Sequence, residues 1–171
     1  MASIKSNLMT NVTATPPVHN DVGKDGGRIR IVCDSFECDV SEITAADDYI
    51  LLCRLPTLAR IVSAVFWNDA LDSGSGLTMD LGLYTPAGAV VDIDCYTTTP
   101  SAVFQAAVVG AGTELIAVHA SDLDNMGKRL WDAAGVSTDP GGYYDLALTV
   151  AVHAGGDQDG TLSFRIMYVV D

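Results

Sequence analysis

Three kinds of side chain in this sequence could do chemistry: histidines, cysteines and clustered aspartates. His19, His119 and His153 are isolated from one another, and none stands in a metal-binding pattern such as two histidines four residues apart on a helix. No nucleophile elbow, phosphate loop or dinucleotide fingerprint accompanies them. Cys33, Cys38, Cys53 and Cys95 form no Cys-x-x-Cys pair, and no histidine lies at metal-finger spacing from them. They read as reduced core residues, a common fate of free cysteine. Asp157-Gln158-Asp159-Gly160 resembles the start of a calcium loop but lacks the glutamate that must follow. The residues therefore point to no catalytic group, no cofactor and no resident metal, and the chain reads as a non-enzyme. One acidic cluster stands apart. Asp80, Asp92 and Asp94 fall on the same face of a hairpin, where like charges oppose one another. Solvation, a Lys or Arg from a partner chain, or a cation such as Ca²⁺ would each relieve that repulsion.

That hairpin, Leu77 to Tyr96, organises the chain. Leu77, Met79, Leu81 and Leu83 alternate with Thr78, Asp80, Gly82 and Tyr84. After Pro86-Ala87-Gly88, Ala89, Val91, Ile93 and Cys95 alternate with Val90, Asp92, Asp94 and Tyr96. Period-2 alternation puts one set on a core and the other towards solvent. A two-residue loop would set Leu81 against Asp92 and mix the faces. A three-residue loop sets Leu83 against Val91, Leu81 against Ile93 and Met79 against Cys95, and Asp80 then faces Asp94. That loop requires a left-handed residue at its third position, where Gly88 stands.

The other elements follow the same logic. Arg28 to Val40 predicts a first strand with a bulge near Ser35. Tyr49 to Leu55, apolar on both faces, predicts a buried central strand that Pro56 stops. Arg60 to Trp67 is β-branched and aromatic. Asn68 to Gly76 is a polar loop. Ser101 to Val109 fits either a short helix or an irregular strand, and Leu115 to His119 predicts a short strand. A helix is expected from Ser121 as its N-cap, through Leu123, Met126, Leu130 and Trp131, to a stop at Gly135. Tyr143 to His153 and Thr161 to Val170 alternate cleanly. Seven or eight strands and one short helix predict an all-β antiparallel sandwich, with jelly-roll topology favoured.

Residues 1–27 form a separate unit ahead of a sandwich domain at 28–171. They have neither period 2 nor 3.6, and Pro16-Pro17 and Gly26-Gly27 favour extension. Leu8, Met9, Val12 and Val18 punctuate the segment with isolated apolar side chains. Two readings stand: a disordered tail, or an extended N-terminal arm that orders on a partner through Leu8, Met9, Val12, Pro16, Pro17 and Val18. The net charge of −13 argues against nucleic acid and against an anionic membrane surface, and it suits a basic protein partner. No stretch reaches the roughly 18 apolar residues of a spanning helix, and the first residues lack a signal-peptide core. A reducing cytosol is the expected place of synthesis.

Two stretches resemble a known family, the head decoration or cement proteins of tailed bacteriophages. The first is Ser6-Asn7-Leu8-Met9-Thr10-Asn11, then Thr15-Pro16-Pro17, then Asp25-Gly26-Gly27-Arg28-Ile29-Arg30. The second is Asn125-Met126-Gly127-Lys128-Arg129-Leu130-Trp131, then Ser137-Thr138-Asp139-Pro140-Gly141, then Tyr144-Asp145-Leu146-Ala147-Leu148-Thr149. Arg54-Leu55-Pro56, Ala59-Arg60 and Asp80-Leu81-Gly82-Leu83-Tyr84 are also similar to the family pattern. The resemblance runs in order along most of the chain. It implies a virion protein, made in the host bacterial cytoplasm, that binds the major capsid protein on the capsid exterior, as a homotrimer at local three-fold positions. The family motifs carry no catalytic residue. The alternative is a carbohydrate-binding jelly roll of a phage surface or tail, for which Trp67, Tyr84, Tyr96 and Tyr143 would have to form an exposed aromatic face.

Overall fold

A computed structural model describes residues 11, 13–18, 28–39, 41, 43–74, 76–116, 124–153, 155–156 and 158–170. Among the described residues eight strands form in chain order: β1 (Ile29–Cys38), β2 (Tyr49–Pro56), β3 (Ala59–Asn68), β4 (Thr78–Tyr84), β5 (Val90–Asp92), β6 (Val108–Glu114), β7 (Tyr143–Val152) and β8 (Gly160–Val170). They make two four-stranded antiparallel sheets, ordered β1-β8-β3-β6 and β2-β7-β4-β5. This is the jelly-roll order: the chain passes back and forth between sheets, and only β4 and β5 are consecutive strands paired within one.

The core lies between the sheets. Leu146, Leu148 and Val150 of β7 and Leu162, Phe164 and Ile166 of β8 supply the inward sets that alternation predicts. Phe66 of β3 meets Phe104 edge-on at 5.9 Å and Phe164 at 6.4 Å between ring centroids. Each offset ring pair adds to what area burial alone provides.

The hairpin loop forms as predicted. Gly88 has φ +83°, the Gly88 amide donates to the Thr85 carbonyl (2.9 Å), and the Thr85 amide donates to the Ala89 carbonyl (2.7 Å). Tyr84 pairs with Val90 in the expected register. One residue later the register slips, and Leu83 pairs with Asp92 instead of Val91. Tyr96, predicted to face out, is buried together with its neighbour Cys95, because both lie past the end of β5, where the chain folds back over β4. β5 ends at Asp92, and the chain then crosses β4 at Gly82. A Cβ on Gly82 would overlap the Asp92 carbonyl oxygen and the Ile93 carbonyl group. The returning chain is fixed to β4 by the Tyr96 amide on the Leu81 carbonyl (3.1 Å) and by the Leu81 amide on Thr97 Oγ1 (2.7 Å). β4 is thus buried on both faces, not half-buried.

Four other expectations need correction. β1 pairs with β8 over ten consecutive residues with no bulge at Ser35. β2 lies at a sheet edge; the central strands are β7 and β4. Its apolar outward residues, Tyr49 and Leu51, remain exposed. A strand not expected forms at Val108–Glu114, preceded by a 3₁₀ turn at Val103–Gln105, and of the strand expected at Leu115 to His119 only Leu115 and Ile116 are described, neither of them in a strand. The helix shrinks to α1 (Leu130–Ala133). Gly127 has φ +79° and Arg129 is extended, so no helix passes through them. Instead the turn is bound to β3: the Gly127 amide donates to the Ile61 carbonyl (3.1 Å), and Arg60 Nη1 donates to the Gly127 carbonyl (2.7 Å). Ser121 and its neighbours lie outside the described residues. Gly135 does stop the helix, with φ +68° and its amide on the Asp132 carbonyl.

Two glycines test this account. Gly88→Val places a β-branched residue at positive φ and is expected to cost on the order of 1–2 kcal/mol. Gly82→Ala must push backbone, not a side chain, and is expected to cost on the order of 2–4 kcal/mol although it adds one methyl group. Urea midpoints measure both. A Gly82→Ala midpoint equal to wild type would refute the close crossing.

Candidate interaction surfaces

The outward face of the β2-β7-β4-β5 sheet carries a row of polar side-chain pairs. Antiparallel register sets Arg54 of β2 opposite Asp145 of β7, on one face. Arg54 Nε donates to Asp145 Oδ1 (2.6 Å) and a terminal nitrogen to Oδ2 (2.8 Å), a two-pronged pair. Leu52 forms a bulge beside it, because Leu51 pairs with Ala147 and Cys53 with Leu146. The bulge opens a shallow cleft of about 330 Å³ lined by Leu51, Leu52, Cys53, Arg54 and Asp145. Burial, aided by the Asp145 charge, pushes the Cys53 thiol up to about 12, so it stays protonated and is no nucleophile at neutral pH.

Next along the face, Tyr49 stacks on Tyr84 with ring centroids 4.4 Å apart. The Tyr84 hydroxyl meets Thr149 Oγ1 at 3.0 Å. Asp80 stands opposite Thr149 and accepts from the Thr97 hydroxyl (3.1 Å). It is 5% exposed. The aspartate cluster is therefore not the paired ladder that simple alternation predicts. Asp94 lies beyond the end of β5, in a turn where its amide donates to Asp92 Oδ1 (3.2 Å). Burial first, then the nearby Asp94 charge, raise Asp80 to about 6 against the pull of the Thr97 hydrogen bond. Burial also raises Asp92. Among the described residues no group of three or more His, Cys, Asp or Glu is placed to hold a metal ion.

The aromatic face needed for carbohydrate binding is not assembled. Tyr84 and Tyr96 are buried. Trp67 belongs to the other sheet, where its Nε1 donates to the Gly110 carbonyl (3.0 Å) and the Arg165 guanidinium lies 5.6 Å from its ring centre. Only Tyr143 of the four is exposed. Of the histidines, His153 follows the end of β7, and its charge helps hold the Asp72 carboxyl low, after the larger effect of the Leu77 amide. Asp72 spends its oxygens on the amides of Gly74, Gly76 and Leu77, which closes the polar loop before β4. His19 and His119 lie outside the described residues.

Of the predicted arm contacts, Leu8, Met9 and Val12 lie outside the described residues. Pro16, Pro17 and Val18 are exposed. A local turn joins them: the Ala14 and Val18 amides both donate to the Asn11 carbonyl, at 3.2 and 3.0 Å. Sequence reasoning missed the exposed apolar residues of the strands themselves, among them Ile29, Ile31, Tyr49, Leu51, Val90 and Tyr143. Sheet order reveals them, since all but Tyr143, at the start of the central β7, belong to edge strands. Cys33 likewise is exposed, on β1, and not a core residue.

No protein-family model and no curated protein matches the chain. Solved structures do. A chain in the capsid of Ralstonia phage GP4 is similar over 83% of this chain and 85% of that one, with a TM-score of 0.56 and 23% identity. A chain in the capsid asymmetric unit of cyanophage Pam1 is similar over 91% of each, with a TM-score of 0.50 and 21% identity. The sandwich is a fold found in phage capsids. At such identities the likeness is one of fold, and it covers the strands rather than a single motif.

The buried carboxylate gives a pH test. Asp80 holds its proton in the folded state up to about pH 6, whereas an ordinary aspartate releases it near 3.8. Folding stability therefore falls as pH rises through that window, and the full penalty applies above it. Asp80→Asn keeps an acceptor for Thr97 and removes the charge. It is expected to raise stability at pH 7.5 by on the order of 1–2 kcal/mol, with the gain vanishing near pH 4. Urea melts of both proteins at pH 4, 5, 6 and 7.5 measure this. A constant offset across pH would exclude the carboxylate as its source.

Proposed function

We propose that this chain is a capsid decoration protein: it binds the outer surface of a phage head lattice, as a trimer, and stabilises it. One observation carries the reading. The whole sandwich is similar to chains of two phage capsid structures, over more than four-fifths of the chain in each case. The sequence resemblance to decoration proteins supports it independently, because its motifs run from the arm to β7. The chemistry of the described residues fits a structural part. Polar groups of the sheet face pair with one another, Asp80 with Thr97 and, at the open cleft, Arg54 with Asp145, while the Cys53 thiol beside them stays protonated.

In this reading residues 1–27 form the attachment arm. Fully extended, 27 residues would reach at most roughly 90 Å, and even shortened by the turn at 11–18 the segment is long enough to leave the sandwich and contact a neighbouring subunit. Ordering it costs entropy, so it orders where Leu8, Met9, Val12 and Val18 meet apolar partner surface. Pro16 and Pro17 limit that cost by restricting the backbone beforehand.

Deleting residues 1–20 is expected to leave a folded domain with nearly unchanged thermal midpoint and to lower occupancy on undecorated capsids at limiting protein. Quantifying bound protein per particle against full-length chain tests it. Equal occupancy would place attachment on the sandwich instead. No binding by the full-length protein would reject the capsid reading itself.

A further inference from the structure

A jelly roll has four sheet edges, and an exposed edge is a template for another strand unless something blunts it. Three of the four are blunted here. β5 is three residues long. β2 carries the Leu52 bulge and ends at Pro56. β6 has glycines at φ +71° and +75°, Gly110 and Gly112, and its pairing to β3 is irregular. β1 has none of these devices. It is ten residues long, unbroken, free of proline, and held in continuous register on β8. The Ser35 and Ser163 hydroxyls (2.8 Å) and the Glu37 and Thr161 side chains (2.8 Å) fix it further. Among the described residues no strand pairs with its outer edge. Ile29 and Ile31 are 57% and 58% exposed on it.

The charges along β1 say what fits. Arg28 and Arg30 stand at its beginning, and Asp34 and Glu37 towards its end. A parallel neighbour of the same sequence would set like charges side by side. An antiparallel copy sets them in opposition. In a two-fold arrangement, opposite residues must share a face, so the residue numbers of each pair sum to an even number. A sum of 68 sets Asp34 against itself. A sum of 66 leaves Arg30 opposite Phe36. A sum of 64 sets Arg30 opposite Asp34 of the second copy, twice by symmetry. It also sets Val32 opposite Val32, and Ile31 opposite Cys33 on the other face. We propose that β1 pairs antiparallel with β1 of a second copy of this chain, centred on Val32, which joins two sandwiches through one continuous eight-stranded sheet. The contact is two-fold, so it is separate from the trimer of the functional reading and would link one trimer to the next. It does not depend on that reading, since it is measured on free protein.

The test uses charge reversal in the full chain. Arg30→Glu sets acid against acid at both Asp34 positions, and Asp34→Arg sets base against base at both Arg30 positions. Each alone is expected to weaken association about tenfold or more. Neither site is buried, so both variants are expected to fold. When the two variants are mixed, the introduced acid of one copy meets the introduced base of the other across one side of the junction. Across the other side the native Asp34 meets the native Arg30, and association is expected to return. Sedimentation velocity over a concentration series reads this. A short bis-maleimide is a second readout. Cys33 is the exposed cysteine among the four, and it should give cross-linked dimer in wild type and in the mixture, and little in either variant alone. Failure of the mixture to associate above the single variants would overturn the proposal. So would wild-type association that neither reversal weakens.

Discussion

A missing side chain on β4 is the constraint from which much of the second sheet follows. With hydrogen in place of a methyl group at Gly82, the chain leaving β5 can lie directly against the strand. That crossing covers a sheet face which alternation alone assigns to water. Asp80 loses its solvent, Tyr84 is enclosed, and the Thr97 hydroxyl becomes both donor to Asp80 and acceptor from the Leu81 amide. The raised Asp80 carboxyl is thus first a consequence of backbone geometry, to which the Asp94 charge adds.

The rest of that face shows how a sandwich tolerates polar groups on strands buried from both sides. Asp145 and Thr149 of β7 are almost wholly buried, yet Asp145 has Arg54 directly across the sheet, and Thr149 is reached by the hydroxyl of Tyr84, whose ring spans four residues along β4. Cross-strand register supplies the first of these pairs without further machinery. The opposite sheet uses a different device at its rim. A Cβ on Gly112 would stand 2.6 Å from the Trp67 ring, so the absence of one lets the indole approach β6 closely. Glu114 meanwhile accepts from Ser63 Oγ (2.5 Å) and the Ala64 amide (2.6 Å), next to the bulge in β3.

Local rules make part of this legible. β3, β7 and β8 announce themselves by composition and period, and the Gly88 loop by a single residue with a single allowed role. Seven or eight strands and a sandwich are within reach of counting and alternation, whereas the order of the strands within each sheet comes from the structure. The failures have one cause. Tyr49 to Leu55 is apolar on both faces because β2 is an edge strand with outward Tyr49 and Leu51, which composition cannot distinguish from a buried centre. Gly127 looks like a weak helix residue, whereas it holds a left-handed turn against β3. Tyr96 is buried because the chain past β5 folds back over β4. Each depends on a neighbour distant in the chain. The surfaces are less legible than the fold, since an edge is defined by what does not pair with it.

The order β1-β8-β3-β6 has a consequence for how the protein is made. β8 lies between β1 and β3 and is the last of the eight strands to leave the ribosome. Ser35 and Ser163, bonded across β1 and β8, are 128 positions apart. Until β8 emerges, β1 and β3 have no strand between them, and the first sheet has a gap at its centre. The nascent chain can close the β4–β5 loop early, but it cannot bury the inner face of its first sheet before all eight strands are out. Folding is therefore set by long-range closure, which belongs to the slow end of the range for domains of this kind.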